Sequence, residues 1–469
     1  MPAWFSSGSY WIFPEILTRI GFLLAFVLMA GLLRQRRSPS STIAWLLIIV
    51  LLPYVGVPLY VVFGGRKVRR MARRKARIYQ PAAAPQPGEE RGVDQLLASY
   101  GVPPASPGNR VELVTDGRDA YRRVLELMNE ARSTIHIATY ILGRDEGSRA
   151  LVDCLTRRAE EGVAVRLLID DLGSWRVRRR SLAPLIDAGA QCAHFMPVFH
   201  APFRGRANLR NHRKLIVIDG RIALTGGMNL AWPYIGPPSA KDLWLDLSMI
   251  VEGPAVRELE ALFASDWRFA TGADPGEAGL PGPVFELTGK ESSVIQVVAS
   301  GPDVDGDPLY ESLLALIFSA QSRIWIVTPY YVPDEMLARA LGLAARRGVD
   351  VRLLLPARSN HLLADLARTS YLRDLHDAGG RVMLYTPVML HAKAVVFDDQ
   401  LAVIGSANMD MRSLFLNYEV ALFVSSPARV EEVAAWARGL MADSRPELPA
   451  PGWPHELAEN VVRLLSPLL

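Results

Sequence analysis

The chain has 469 residues, half of them apolar, and a formal net charge of only +4. That length suits two or three domains, and the positive mean hydropathy is high for a purely soluble protein. Two cysteines, Cys154 and Cys192, exclude a disulfide framework and have no metal-ligand spacing; they read as buried thiols.

The N-terminal part is the apolar one. From Ser38 to Gly65 there is no charged residue, and Thr42 to Phe63 is long enough to cross a bilayer as a helix. Pro53 and Pro58 would kink it, so neighbouring structure must satisfy the freed carbonyls. An earlier run, Ile20 to Leu33, reaches spanning length when extended back to Tyr10. It then includes Glu15 and Arg19, which share a helix face. A cleaved signal peptide fits poorly, because the start lacks a basic region and a second span follows.

Between Arg66 and Arg77 lie eight Lys/Arg and no acid, which points to an acidic partner, lipid headgroups or nucleic acid. Placed after the second of two spans, this block predicts a cytoplasmic catalytic part. Arg34, Arg36 and Arg37 between the spans pull the other way, and a hairpin within one leaflet is the alternative topology. Gln80 to Arg91 is rich in Pro and Ala and reads as a linker. The expected division is a membrane anchor over 1–78, a linker over 79–109, and two catalytic halves over 110–285 and 286–469.

The two halves repeat one another. STIHIATY (Ser133–Tyr140) matches SRIWIVTPY (Ser322–Tyr330), and GVAVRLLID (Gly162–Asp170) matches GVDVRLLLP (Gly348–Pro356). LIDAGAQCAHFMP (Leu185–Pro197) matches LHDAGGRVMLYTP (Leu375–Pro387). The copies are offset by about 180 to 190 residues, so a whole α/β unit is duplicated. Strands alternating with helices predict mixed, largely parallel sheets covered by helices. Chemistry common to both copies would meet at a pseudo-two-fold axis between them.

The third part of each copy carries that chemistry. NHRKLIVIDGRIALTGGMN (Asn211–Asn229) and HAKAVVFDDQLAVIGSANMD (His391–Asp410) both place Lys two residues after His and Asp five after Lys. Glycine follows seven later (Gly226, Gly405) and Asn three after that (Asn229, Asn408). On a strand, His and Lys two apart point the same way, and glycine permits close backbone approach to a ligand. Facing copies would gather two imidazoles, two ammonium groups and two amides around one phosphate diester. His212 and His391 suit nucleophile and acid–base roles, while Lys214 and Lys393 offset charge. Asn229, Asn408 and Ser406 would donate hydrogen bonds.

Asp246 (WLDLSMIVEG) and Glu419 (LNYEVALFV) fall on the strand after each motif and are candidates to orient the imidazoles. Asp219 and Asp398 complete the motifs, and bracing the turn or the neighbouring lysine is their expected part. No metal and no cofactor is expected, since HExxH, CxxC and a carboxylate cluster are all lacking. Of the other histidines, His200 and His361 lie where they would border the site. Tyr330 and Tyr331 read either as groove lining or as packing. Trp453 to Leu469 has an amphipathic pattern suited to a C-terminal helix that packs on the domain or lies on the membrane.

The doubled His-x-Lys-x4-Asp-x6-Gly motif resembles that of the phospholipase D superfamily. LRNHRKLIVIDGRIALTGGMN, HAKAVVFDDQLAVIGSANMDMRSLFLNYEV and the apolar STIAWLLIIVLLPYVGVPLYVVFGGRK are closer still to its bacterial cardiolipin synthases. The resemblance covers nearly the whole chain. One departure is Gly227, where that family usually has serine. The resemblance implies two pseudo-symmetric α/β/α domains with mixed sheets behind a transmembrane helical hairpin in the bacterial inner membrane. It implies that two phosphatidylglycerol molecules give cardiolipin and glycerol through a phosphatidyl-histidine, with no metal. His212 is then the nucleophile and His391 the acid–base. The partners it implies are phosphatidylglycerol and an anionic membrane rather than nucleic acid. Hydrolysis by water, a phosphatidylethanolamine donor, a nuclease and an inactive scaffold are the rival readings.

Overall fold

In a computed structural model of the chain, the described residues are 26, 39–54, 56, 57, 60, 75–80, 92–177, 179–197, 209–275, 292–446 and 459. All but Phe26 of the first apolar run, most of the basic block, His200 and all but Glu459 of the C-terminal amphipathic segment lie outside them. So does part of the second apolar run, whose described portion includes a helix over Pro39–Leu51. Among the described residues no helix is long and apolar enough to cross a membrane.

The first half contributes strands β1 (Ser106–Val114), β2 (Thr134–Thr139), β3 (Ala164–Asp170), β4 (Gln191–Phe195), β5 (Leu215–Ile218), β6 (Ile222–Gly226) and β7 (Ser248–Glu252). The second half contributes β8 (Ser293–Ser300), β9 (Arg323–Val327), β10 (Tyr331–Val332), β11 (Asp350–Pro356), β12 (Arg381–Tyr385), β13 (Ala394–Phe397), β14 (Leu401–Gly405), β15 (Met409–Asp410), β16 (Glu419–Val424) and β17 (Ser444–Arg445). Outward from the β1–β8 pair, the halves read β1-β7-β6-β5-β2-β3-β4 and β8-β16-β14-β13-β9-β11-β12, with β17 on the far edge. Each position in one series matches its partner in the other, so the repeat read in the sequence is a repeat of topology.

Both series are mixed. β2, β3 and β4 run parallel, as do β9, β11 and β12, while β5 and β13 pair antiparallel to β2 and β9. Such strands are covered on both faces, which is why β2 and β16 are buried at every position. Helices follow the same logic. The helix Gly117–Glu130 is capped by Asp116, which accepts from the Arg118 and Asp119 N–H groups, and buries Ala120, Tyr121, Val124, Leu127 and Met128 on one stripe.

The two halves are not independent bodies. β1 and β8 pair antiparallel with a register shift between Ser106 and Asn109. One large apolar cluster draws on both, from Leu215, Leu247 and Phe263 to Val297, Leu353 and Phe423. A second lies within the first half. The segment read as a linker joins this core, which corrects the expected boundaries. Leu97 and Tyr79 are buried in the shared cluster, and β1 begins at Ser106, inside the stretch read as 79–109. Proline and alanine around residue 85 drew attention away from the apolar residues on either side.

The basic block is also divided. Lys75 is buried, and its ammonium donates to Asp303 Oδ2 at 2.7 Å and to Asp266. Arg213 meets the same two acids, donating to Asp266 Oδ1 at 2.7 Å and to Asp303 at 3.3 Å. Two cations thus balance two carboxylates where no water dilutes the charges. Removing one member strands a buried charge. Lys75→Met should therefore destabilise the protein by about 3–5 kcal/mol, read as a lowered midpoint in thermal or denaturant unfolding, with Arg77→Met as the exposed control.

Candidate active site

β2 and β9 end where β5 and β13 begin, and each pairing leaves the residues just before β5 and β13 free to face the other half. Those residues are the two histidine motifs. The His212 N–H donates to the Tyr418 carbonyl at 2.9 Å, and the His391 N–H to the Leu245 carbonyl at 2.7 Å. Each motif is thus laced to the residue just ahead of the acid in the opposite half.

The side chains cross in the same way. His212 Nδ1 lies 3.0 Å from the Glu419 carboxylate, and His391 Nδ1 lies 2.6 Å from Asp246 Oδ2. Every imidazole is oriented by an acid from the other copy. Both acids are fully buried. A carboxylate accepts only, so Nδ1 carries the proton and Nε2 is the reactive nitrogen.

The lysines complete the centre. Lys214 Nζ donates to the His212 carbonyl at 2.7 Å. Lys393 Nζ donates to the His391 carbonyl and lies against its ring, 2.6 Å from Nδ1 and 3.1 Å from Nε2. Burial pushes Lys214 down to about 7, assisted by Lys393 and opposed by Glu419. Burial brings Lys393 to about 8. Burial, then the charge of Lys393, takes His391 to about 3 against the pull of Asp246. Burial also lowers His212, with Glu419 opposing. For Asp246 burial acts upward, but Lys393 and His391 outweigh it and keep the carboxyl below its ordinary range. These shifts keep the imidazoles neutral and Asp246 ionised at neutral pH.

Aromatic rings wall this centre. Tyr140 packs edge-on against His212, with centroids 5.1 Å apart, and Tyr234 against His391 at 4.9 Å. Trp244 and Tyr330 approach His391 at 5.5 and 6.4 Å. Tyr330 thus takes the groove-lining role, whereas Tyr331 is buried in the core. His361 stands behind Tyr330 at 5.3 Å and does not reach the imidazoles directly.

Several residues play parts different from those expected. Asp219 and Asp398 sit outside the centre. Asp219 accepts from the N–H groups of Arg132, Ser133 and Thr134 at 2.7–2.8 Å. Asp398 accepts from those of Gln321, Ser322 and Arg323 at 2.7–3.0 Å. Each pins the start of β2 or β9 to the turn after β5 or β13, so of the two parts expected of them, bracing the turn is the one these contacts show, at a distance from the imidazoles. The motif glycines favour neighbouring strands rather than a ligand: a Cβ on Gly226 would lie 2.5 Å from the Leu247 carbonyl, and one on Gly405 2.3 Å from that of Val420.

Ser406 Oγ donates to Glu419 Oε2 at 2.5 Å, so it orients the acid rather than awaiting a phosphate. Gly227 occupies the matching place beside Asp246, where a Cβ would fall 2.0 Å from Oδ1. The departure at 227 thus makes room for the acid. Asn229 accepts from the Ile141 N–H at 3.2 Å and bonds the Tyr234 hydroxyl. The Asn408 side chain bonds Asp410 and leaves Oδ1 buried without a protein partner.

Sequence reading missed two groups. Asp410 caps the short helix Met411–Phe415 beside the centre, and burial raises its pKa. Arg213, between His212 and Lys214, donates to the Glu419 carbonyl at 3.1 Å and so ties the ion cluster to the acid strand. The second copy has Ala392 there, and that difference was the available signal.

Two outcomes follow from this geometry. Asp246→Asn should cut phosphodiester turnover by roughly 10²–10⁴-fold while far-ultraviolet circular dichroism is unchanged, because His391 loses its orienting acceptor. Lys214 binds fewer protons folded than unfolded from about pH 7 to about 10, given an unfolded pKa near 10.4. Stability from this group therefore rises with pH across that window. The gap in melting temperature between the wild type and Lys214→Met should shift in the wild type's favour as pH rises. A constant gap would mean that Lys214 keeps its proton.

Comparison with known proteins finds relatives over most of the chain. The family described as cardiolipin synthase, PLD-like domain, matches residues 124–267 and 313–441, and the phospholipase D-nuclease N-terminal family matches residues 23–65. Cardiolipin synthase 1 of Bacillus anthracis is 36% identical over 420 residues, covering 85% of this chain and 82% of its own. Cardiolipin synthase of Alkalihalophilus pseudofirmus is 32% identical, covering 93% and 90%. Among solved structures, phosphatidylserine synthase of Haemophilus influenzae shares the fold with a TM-score of 0.57 at 15% identity, covering 77% of this chain and 95% of its own. With both catalytic halves and most of the chain matched, this protein belongs to the bacterial cardiolipin synthases of the phospholipase D superfamily.

Proposed function

We propose that the chain transfers a phosphatidyl group from one phosphatidylglycerol to the hydroxyl of another, giving cardiolipin and glycerol. The observation that carries this reading is the crossed pairing of His212 with Glu419 and His391 with Asp246. Two imidazoles with their Nδ1 atoms tied back leave two Nε2 atoms for one phosphorus.

In the first step His212 Nε2 attacks phosphorus, and the bond to the departing glycerol oxygen breaks. His391 gives that oxygen its proton. In the second step His391 takes the proton of a second lipid's hydroxyl, whose oxygen displaces His212. Lys214 and Lys393 offset the diester charge, and Asn229 and Asn408 donate to its oxygens. Burial and the nearby ammonium groups keep His391 neutral in the empty site. A diester anion cancels part of that positive field, so substrate binding raises the pKa of the imidazole that must become the acid.

The apolar N-terminal part is the membrane anchor in this reading, a transmembrane hairpin with both ends and the catalytic part on the cytoplasmic side. It keeps the site at the surface where both lipids reside.

The test is to purify the full chain in detergent and supply phosphatidylglycerol with a chelator present. Cardiolipin and free glycerol should form with the wild type and fall by at least roughly 10³-fold with His212→Ala and with His391→Ala. Phosphatidic acid alone would replace this reading with hydrolysis. Product only after phosphatidylethanolamine is added would keep the mechanism and change the donor.

A further inference from the structure

The loops that wall the catalytic centre also carry much of the exposed apolar surface of the catalytic part. Ser174 donates to the Tyr140 carbonyl at 3.0 Å and accepts from the Leu142 N–H, which sets the loop after β3 against the ring that packs on His212. The next residue, Trp175, is 68% exposed, and Leu172 is exposed beside it. Tyr234 packs on His391, and two residues before it Trp232 is 54% exposed. On the other side, His361 packs on Tyr330, and the residues after it, Leu362 and Leu363, are exposed, Leu362 by 74%. Val388 is exposed three residues ahead of His391 itself.

Four separate segments thus place large apolar side chains one to three residues from the groups around the two imidazoles. Singly, exposed apolar residues need no explanation, but their gathering in the loops that carry the groups around the imidazoles does. Water-facing tryptophan and leucine around a mouth suit an interface that is apolar inside and wet outside. The charges agree. Arg176 stacks over Trp175 at 5.1 Å, the Trp232 indole donates to the Lys241 carbonyl, and Arg358 is exposed four residues before Leu362. Against these three exposed cations, the exposed acid among the described residues of the same loops is Asp242.

We propose that this rim is a lipid-docking surface, inserted into the headgroup layer of an anionic phospholipid leaflet around the catalytic mouth. Trp175, Trp232, Leu362 and Leu363 enter the apolar boundary, and Arg176, Lys241 and Arg358 meet lipid phosphates. The inference rests on the phosphatidyl-transfer reading. It adds that the catalytic part grips the membrane itself, beyond any N-terminal anchor, so that a lipid passes from leaflet to histidines without crossing water.

The test uses the full chain reconstituted in vesicles of phosphatidylglycerol and phosphatidylcholine. Benzoylphenylalanine is placed in turn at positions 175, 362 and 400; the last lies in the turn after β13, at the strand end away from His391. Irradiation should give lipid adducts at 175 and 362 and none at 400. The triple variant Trp175→Ser, Leu362→Ser, Leu363→Ser should transfer vesicle phosphatidylglycerol about tenfold more slowly. Its rate on dispersed short-chain phosphatidylglycerol should match the wild type. Absence of lipid adducts at 175 and 362, adducts between two protein copies there, or equal loss on both substrates would overturn the proposal. A wild type that makes no cardiolipin from either substrate would defeat the transfer reading, while the adducts would still decide the rim.

Discussion

Everything in this molecule that bears on chemistry depends on two crossed contacts, His212 with Glu419 and His391 with Asp246. Neither half contains both members of either catalytic pair. A half that folded alone would present a correctly placed imidazole with nothing to hold its Nδ1 proton. The β1–β8 pairing and the apolar cluster shared by both halves therefore set the catalytic geometry as well as the stability.

Burying such a centre carries an electrostatic penalty that the site meets by internal balance. Lys214 and Lys393 face Asp246 and Glu419, two basic side chains against two acidic ones. The carboxylates spend their oxygens on imidazole nitrogens, Ser406 and backbone groups. The ammonium groups reach mainly backbone carbonyls and the His391 ring, which are weaker partners. A phosphate diester is thus the stronger partner the lysines lack. Their lowered pKa values express the same deficit, and an anion that enters relieves it.

The repeated strands, the paired motifs and the two acids were legible in the sequence, because apolar runs and residue spacing encode them directly, although Asp246 lies two residues ahead of β7 rather than on it. The crossing was not. Asp246 and Glu419 could be placed on strands, but which half each would serve depends on how two sheets meet, and no local pattern records that. Asp219 and Asp398 show a related limit. Their fixed spacing after lysine marks them as part of the motif, yet a turn that must cap three N–H groups requires a carboxylate as strictly as chemistry does. The motif glycines likewise keep their places so that the acid strand comes close.

The pseudo-symmetry is least complete just behind the histidines. Arg213 reaches from the first motif into a cluster with Asp266, Asp303 and Lys75, whereas the second motif has the small, apolar Ala392 in its place. Asn211, next to His212, donates to Asp266 Oδ2 at 2.9 Å, and Arg213 donates to the Glu419 carbonyl. The backbone on both sides of the His212–Glu419 contact is thus fastened to an ion cluster that includes a lysine from the basic block. The His391–Asp246 contact has apolar Leu390 and Ala392 around it instead. Two sites built from one repeated plan have therefore diverged in what supports them. That block cannot be read wholly as a lipid-facing patch, because Lys75 spends its charge inside the protein. The chain segment after the apolar N-terminal part is in this way built into the support of one histidine, so the position of that segment and the geometry of the site are set together.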